Sequence, residues 1–185
     1  MKFPIIAYGD PVLRKKCEPV DQEYPKLGEL VASMFETMYE AQGVGLAAPQ
    51  IGKAIRIFVI DSEPMMDEEE EGTGVQQVFI NAEMIAEEGE PFAYSEGCLS
   101  IPDIAGDVVR KPDITIRYIN ENWETVEQQF SGMTARVIQH EYDHIEGKLF
   151  TDYLKPLKKR LIKGKLDKIS KGKIDTRYRM RFPKK

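Results

Sequence analysis

The chain has 185 residues, 42% of them hydrophobic and 31% charged, with a formal net charge of −5. That length supports one domain burying roughly 70% of the surface its unfolded form exposes, and the composition is that of a globular protein, not a disordered or fibrous one. No apolar run approaches the roughly 20 residues that span a bilayer, and Pro4, Tyr8 and Asp10 interrupt what would be the apolar stretch of a signal peptide, so a cytoplasmic protein with no membrane partner is expected.

Cys17, in RKKCEP, reads as a plain thiol. The other cysteine, Cys98, is far away in sequence, and a disulfide is neither needed at this size nor expected in a reducing compartment. Leu27, Leu30, Val31, Met34, Phe35 and Met38 form a 3.6-residue stripe, which predicts a helix over 25–41 packed on the core. The helix ends at Gly43, where GVGLAAPQIG combines glycine freedom with small side chains, so its backbone can approach another object closely. Residues 55–60 read as a strand, the acidic run 67–74 as a solvated loop, and residues 78–84 as a second strand. Residues 90–95 lead into EGCLSIP, where Pro102 marks an extended segment or a turn. Alternation over 114–118 and 123–130, about a turn at 120–122, predicts a hairpin. Ser131 is the expected N-cap of a helix that runs to about Gly147, a suitable C′ residue. A basic helix is expected over 158–170. Strands and helices without regular βαβ alternation indicate an α+β fold.

Both histidines, His140 and His144, fall in the stretch HEYDH within the predicted helix. Side chains four apart on a helix point the same way, so one divalent ion can take a nitrogen from each, with Glu141 one step round and free to handle protons. Met133 and Val137 share that face. The competing reading is an apolar core stripe with two satisfied histidines, which leaves unexplained why both take ligand spacing around a glutamate. A catalytic ion of this kind has three protein ligands and one open position. Downstream stand Glu146, two residues from His144 and so turned off the face, and Asp152. Upstream stands Cys98, whose thiolate suits a soft or borderline ion, although an isolated cysteine is more simply a small buried apolar residue. Spacing leaves the third ligand open.

GVGLAAPQ at 43–50, EGCLS at 96–100 and QHEYDH at 139–144 resemble, in order and spacing, the three signature segments of the peptide deformylases, and the likeness runs from the first helix to about Asp152. The resemblance implies an α+β fold with mixed or antiparallel sheets around a central helix carrying HExxH. It implies hydrolysis of the N-formyl group from the initiator methionine of nascent polypeptides, with release of formate. Cys98, His140 and His144 are then the metal ligands, with Fe2+ the physiological ion and Zn2+, Ni2+ or Co2+ also compatible with such a ligand set. Glu141 becomes the general base and acid toward an activated water, and the Gln50 amide and Leu99 backbone N–H become donors to the developing oxyanion.

Gly43, Val44 and Gly45 are expected to let an extended substrate lie alongside them as an added strand, with Glu96 and Gly97 beside it. Tyr94, Met133 and Val137 are candidates for the methionine pocket, with core packing the alternative for each. Arg136, four residues before His140, is expected at the rim with its stem packed and its head in water. Glu96 and Arg110 are expected to pair and brace the Cys98 loop. Residues 1–154 form the expected catalytic domain, and residues 155–185 its basic C-terminal helix and tail. That tail holds 14 Lys/Arg against 2 Asp, while the rest holds 12 Lys/Arg against 29 Asp/Glu. This asymmetry fits a polyanion partner for the tail, or a tail lying on the chain's own acidic body. The resemblance implies weak ribosome association through the tail, and no DNA partner is expected. The chief rival is an HExxH metalloprotease cleaving internal peptide bonds; a second is a silent chain that only binds peptide N-termini.

Overall fold

The computed structural model describes residues 2–66 and 74–183, so the acidic loop expected at 67–74 lies, apart from Gly74, outside the described residues. In chain order the elements are β1 (Ile5–Ile6), α1 (Leu27–Glu40), β2 (Gly45–Ala47), β3 (Ile57–Asp61), β4 (Gln76–Glu88), β5 (Phe92–Cys98), β6 (Ile101–Arg110), β7 (Asp113–Ile119), β8 (Thr125–Ser131), α2 (Gly132–Ile145), α3 (Pro156–Ser170) and β9 (Met180–Arg181). One antiparallel sheet has the spatial order β2-β3-β4-β7-β8, β5 and β6 form an antiparallel ribbon, and β1 pairs with β9 in parallel. The expected α+β class with antiparallel sheets is found.

The run IFVI in β3 is apolar without alternation, the pattern of a strand covered on both faces. Alternate residues point opposite ways. Ile57 and Val59 meet Leu30, Val31, Met34 and Met38 of α1, whereas Phe58 and Ile60 meet Ala135, Ile138 and Ile145 of α2. The two helices therefore cover opposite faces of the sheet. On the α2 side Phe58 stacks on Phe79 with centroids 4.7 Å apart, and Phe79 packs in turn against Tyr118 and Phe130. Such aromatic pairs add about 0.5–1.5 kcal/mol each beyond their buried area.

Several boundaries differ from expectation. The second strand, β4, runs to Glu88, beyond its apolar stretch, because its far half pairs with β7 across two register shifts. Trp123 belongs to the hairpin turn, with φ +61°, and not to the following strand. Ser131 does stand at the N-cap of α2, but its side chain makes no capping hydrogen bond. Past the other end, Gly147 adopts φ +74°, and a Cβ there would lie 2.7 Å from the Arg14 carbonyl oxygen. Only glycine suits that position.

The basic helix α3 is docked. Ile162 and Ile169 are buried in a cluster with Ile6, Leu13, Ile101, Val108, Phe150 and Leu154. Beyond it the chain turns back, and the Ile5 and Ala7 amides donate to the carbonyls of Arg179 and Arg181 at 2.8 and 2.9 Å. No helix among the described residues is long and apolar enough to cross a membrane.

Candidate active site

Two local periodicities assemble the site. Residues two apart on a strand share a face, so β5 presents Glu96 and Cys98 together. Residues four apart on a helix share a face, so α2 presents His140 and His144. The ligand atoms of Cys98, His140 and His144 all lie within 4.8 Å of one another, and Cys98 Sγ is 3.4 Å from His144 Nε2. A tetrahedral ion with bonds of about 2.3 Å to sulfur and 2.0 Å to nitrogen separates such a pair by roughly 3.5 Å. The donor set, one thiolate and two imidazoles, therefore fits a borderline divalent metal. Glu146 and Asp152, the downstream alternatives, are engaged elsewhere: Glu146 pairs with Arg56 at 2.6 Å and Asp152 with Arg14 at 2.6 Å.

His140 Nδ1–H donates to Glu96 Oε2 at 3.0 Å, which leaves its Nε2 for an ion. Burial opposes charge on His140, but hydrogen bonds to Cys98 and Glu96 outweigh it and hold the group well above its usual range. His144 is pushed the other way, by burial first and then by the His140 and Arg110 charges. Glu141 Oε2 and His144 Nδ1 are buried with no hydrogen-bond partner among the described residues. Burial raises Glu141 to about 7, with the Glu96 charge adding and His140 opposing. A carboxyl pushed up by burial, with one oxygen free of any protein partner among the described residues, thus lines the same cavity as Cys98 and His140.

The polypeptide deformylase family matches residues 2–160. The chain belongs to that family. Its relatives include the peptide deformylases of Christiangramia forsetii, 59% identical over 99% of this chain and 97% of the relative, and of Flavobacterium psychrophilum, 53% identical over the whole of both. The crystal structure of a peptide deformylase from Legionella pneumophila superimposes with a TM-score of 0.79 at 38% identity, covering 94% of this chain and 98% of the other. The family's members are metal-dependent hydrolases, and the deformylase signature segments are the ones that meet here.

The first segment closes over the site from β2, the edge strand of the large sheet. A Cβ on Gly45 would lie 2.7 Å from Glu141 Cγ and Cδ, and one on Gly43 would lie 2.7 Å from Leu99 Cδ1. Both glycines exist so that neighbouring side chains can sit against bare backbone. Gln50 is buried; its Oε1 accepts from the Ala47 amide at 2.8 Å, and its Nε2 donates to Cys98 Sγ at 3.4 Å and to Ser100 Oγ at 3.3 Å. Gly43, Val44, Gly45, Tyr94, Glu96, Gly97, Leu99, Met133 and Val137 all border a cavity of about 1040 Å³ that also holds Cys98, His140 and Glu141. Every expected site residue except His144 borders it, and His144 is buried, with its Nε2 3.4 Å from Cys98 Sγ.

Arg136 corrects an expectation. It is 3% exposed, not at the rim with its head in water. Its guanidinium donates to Glu96 Oε1 at 2.9 Å and to the carbonyls of Val108 and Phe92 at 3.1 and 2.8 Å, and lies 4.3 Å from the Phe92 ring centroid. The cause is Glu96, a buried carboxylate that takes two cations. Arg110, facing inward on β6, donates to both Glu96 oxygens at 2.7 and 3.0 Å, as expected, and to Asp143 Oδ2 at 2.8 Å. Tyr153 closes the network, donating to Asp143 Oδ1 at 2.9 Å. Burial alone would raise Glu96, but His140 and Arg110 hold it far below the usual carboxylate range. Asp143, Tyr153, Ser100 and Tyr178 were not legible as site residues.

Proposed function

We propose that this deformylase removes the formyl group from the N-terminal methionine of nascent polypeptides by the following division of labour. Cys98, His140 and His144 hold one divalent ion, with Fe2+ the physiological choice. An ion held there would supply Lewis acidity, lowering the pKa of a water and polarising the formyl carbonyl, with the Cys98 thiolate making it less electrophilic than one held by three histidines. Glu141 accepts a proton from the water and returns it to the amine as the carbon–nitrogen bond breaks, giving formate and a free N-terminus. The Gln50 amide and the Leu99 N–H donate to the carbonyl oxygen as charge builds on it. The backbone of 43–45 runs beside the extended substrate as an added strand, while Tyr94, Met133 and Val137 receive the methionine side chain, with Glu96 and Gly97 bordering the path.

The observation that carries this reading is the unpartnered, buried Glu141 carboxylate beside the three convergent ligand atoms. Residues 1–154 supply the chemistry and residues 155–185 belong to the same domain, in the cytoplasm, with weak ribosome contact through the basic face of α3. Anaerobic assay of formyl-Met-Ala-Ser against its acetylated and uncapped forms tests the reaction. Formate release from the formylated peptide alone is expected; cleavage of internal bonds in any of the three would favour a peptidase instead.

A further inference from the structure

The regular ladder of β5 and β6 ends where Gly97 pairs with Ala105; a register shift follows, and Cys98 pairs with Ile101 across the turn residues Leu99 and Ser100. Two-residue hairpin loops normally take primed turns, which need positive φ at one or both positions. Neither Leu99 nor Ser100 is among the residues with positive φ. The turn is thus not a primed hairpin turn on a regular ladder: an irregular stretch with Asp103 at φ +59° lies beside it, and four contacts from other parts of the chain hold it in place. The Leu99 side chain lies against bare Gly43; Gln50 Nε2 donates to Ser100 Oγ at 3.3 Å; the Tyr8 amide donates to the Ser100 carbonyl at 2.9 Å; and the Tyr178 hydroxyl donates to the Leu99 carbonyl at 2.7 Å.

Tyr178 comes from beyond α3. Gly172, at φ +66°, helps reverse the chain, Thr176 Oγ1 donates to the Tyr178 carbonyl at 2.8 Å, and β9 starts two residues later on its pairing with β1. The stretch 175–178 lines the cavity, and the Tyr178 ring packs in the same cluster as Leu99 and Leu46. The family match ends at residue 160, so this wall of the site is built by residues outside it.

We infer that Tyr178 is a positioning residue, fixing the Leu99 backbone so that its N–H meets the developing oxyanion, and that the C-terminal strap thereby serves the reaction. The inference rests on the proposed role of Leu99. Misplacing a reacting or stabilising group by about 1 Å can cost on the order of 10²-fold in rate, and one lost tether should cost less. Tyr178→Phe keeps the ring and removes the hydroxyl. With metal-replete protein and formyl-Met-Ala-Ser, kcat should fall roughly tenfold with KM within about twofold. Metal content and melting temperature should stay at wild-type values, and hydrogen exchange in a peptide covering 96–101 should speed up. Unchanged kcat overturns the inference, as does a rise in KM alone, which marks a mere wall, or a fall in kcat that tracks lost metal or lost stability. A wild-type protein that releases no formate overturns the underlying reaction and this inference with it, whereas an active wild type with an equally active Tyr178→Phe overturns this inference alone.

Discussion

Glu141 is boxed between α2 and the backbone of Gly45, and that contact gives the sharpest test at the scale of single residues. Gly45→Ala keeps an ordinary strand backbone but drives a methyl against Glu141 Cγ and Cδ, each 2.7 Å from the added carbon. The carboxylate must shift, and deformylation should fall about 10²-fold while the circular dichroism spectrum is unchanged; near wild-type turnover would show that the position of Glu141 is immaterial. Glu141→Ala should keep its metal and lose about 10²- to 10⁴-fold in rate, measured on protein whose metal content is determined in parallel, and substantial residual turnover would exclude proton transfer by this group. Cys17 offers a contrast with Cys98. It is buried, and burial pushes its thiol up to about 11, so iodoacetamide at neutral pH should leave it unmodified in the folded protein. Peptide mass mapping reads this directly, and fast labelling would contradict the burial. The histidine pair was legible because helical geometry acts over a few residues, whereas the roles of Cys98 and Gln50 came only from the resemblance of their segments to the family's; the fate of the Arg136 head was not legible, because it depends on a carboxylate 40 residues away in sequence.

At the scale of elements, β5 and α2 work as one unit joined by charge. Glu96 and Asp143 are both clamped by Arg110, with its side chain 6% exposed. Removing one member of a buried ion network strands the others, at a cost of about 3–5 kcal/mol. Arg110→Met should therefore lower the melting temperature by roughly 6–20 °C for a chain of this length and loosen His140 through Glu96. A melting temperature within about 2 °C of wild type would show that Arg136 on Glu96 and Tyr153 on Asp143 suffice without Arg110. Arg110 was expected as a partner of Glu96, but the strand that turns it inward with Ile104 and Val108 was not read from the sequence; an inward charge on a half-buried strand needs such a partner. The helices and the 113–131 hairpin were legible from periodicity. The length of β4 was not, because its far half is held by pairing with β7 and not by its own apolar pattern.

Across the whole molecule, the basic C-terminal region divides its work. One face of α3 is anchored by Ile162 and Ile169, while Leu157 and Leu161, 65% and 70% exposed, lie on a face flanked by exposed lysines. Charge alone left open a polyanion partner or a tail lying on the acidic body, and nothing in the sequence said that the residues after α3 return to the active site, since strand pairing between chain ends is non-local. Truncating after 155 would consequently remove Tyr178 and two core isoleucines along with the basic face. Reversing Lys158, Lys163 and Lys165 to glutamate is the cleaner experiment: ribosome co-sedimentation should drop and become less sensitive to salt, with turnover of short formyl peptides unaltered. Equal co-sedimentation would remove α3 from that role.

The account turns on a sulfur and two imidazoles sharing one ion, and X-ray absorption on the metal-loaded protein measures that directly. One sulfur scatterer at about 2.3 Å, two imidazole nitrogens near 2.0–2.1 Å and one further light atom are expected. A shell without sulfur, or one filled by protein side chains with no solvent position, would contradict it.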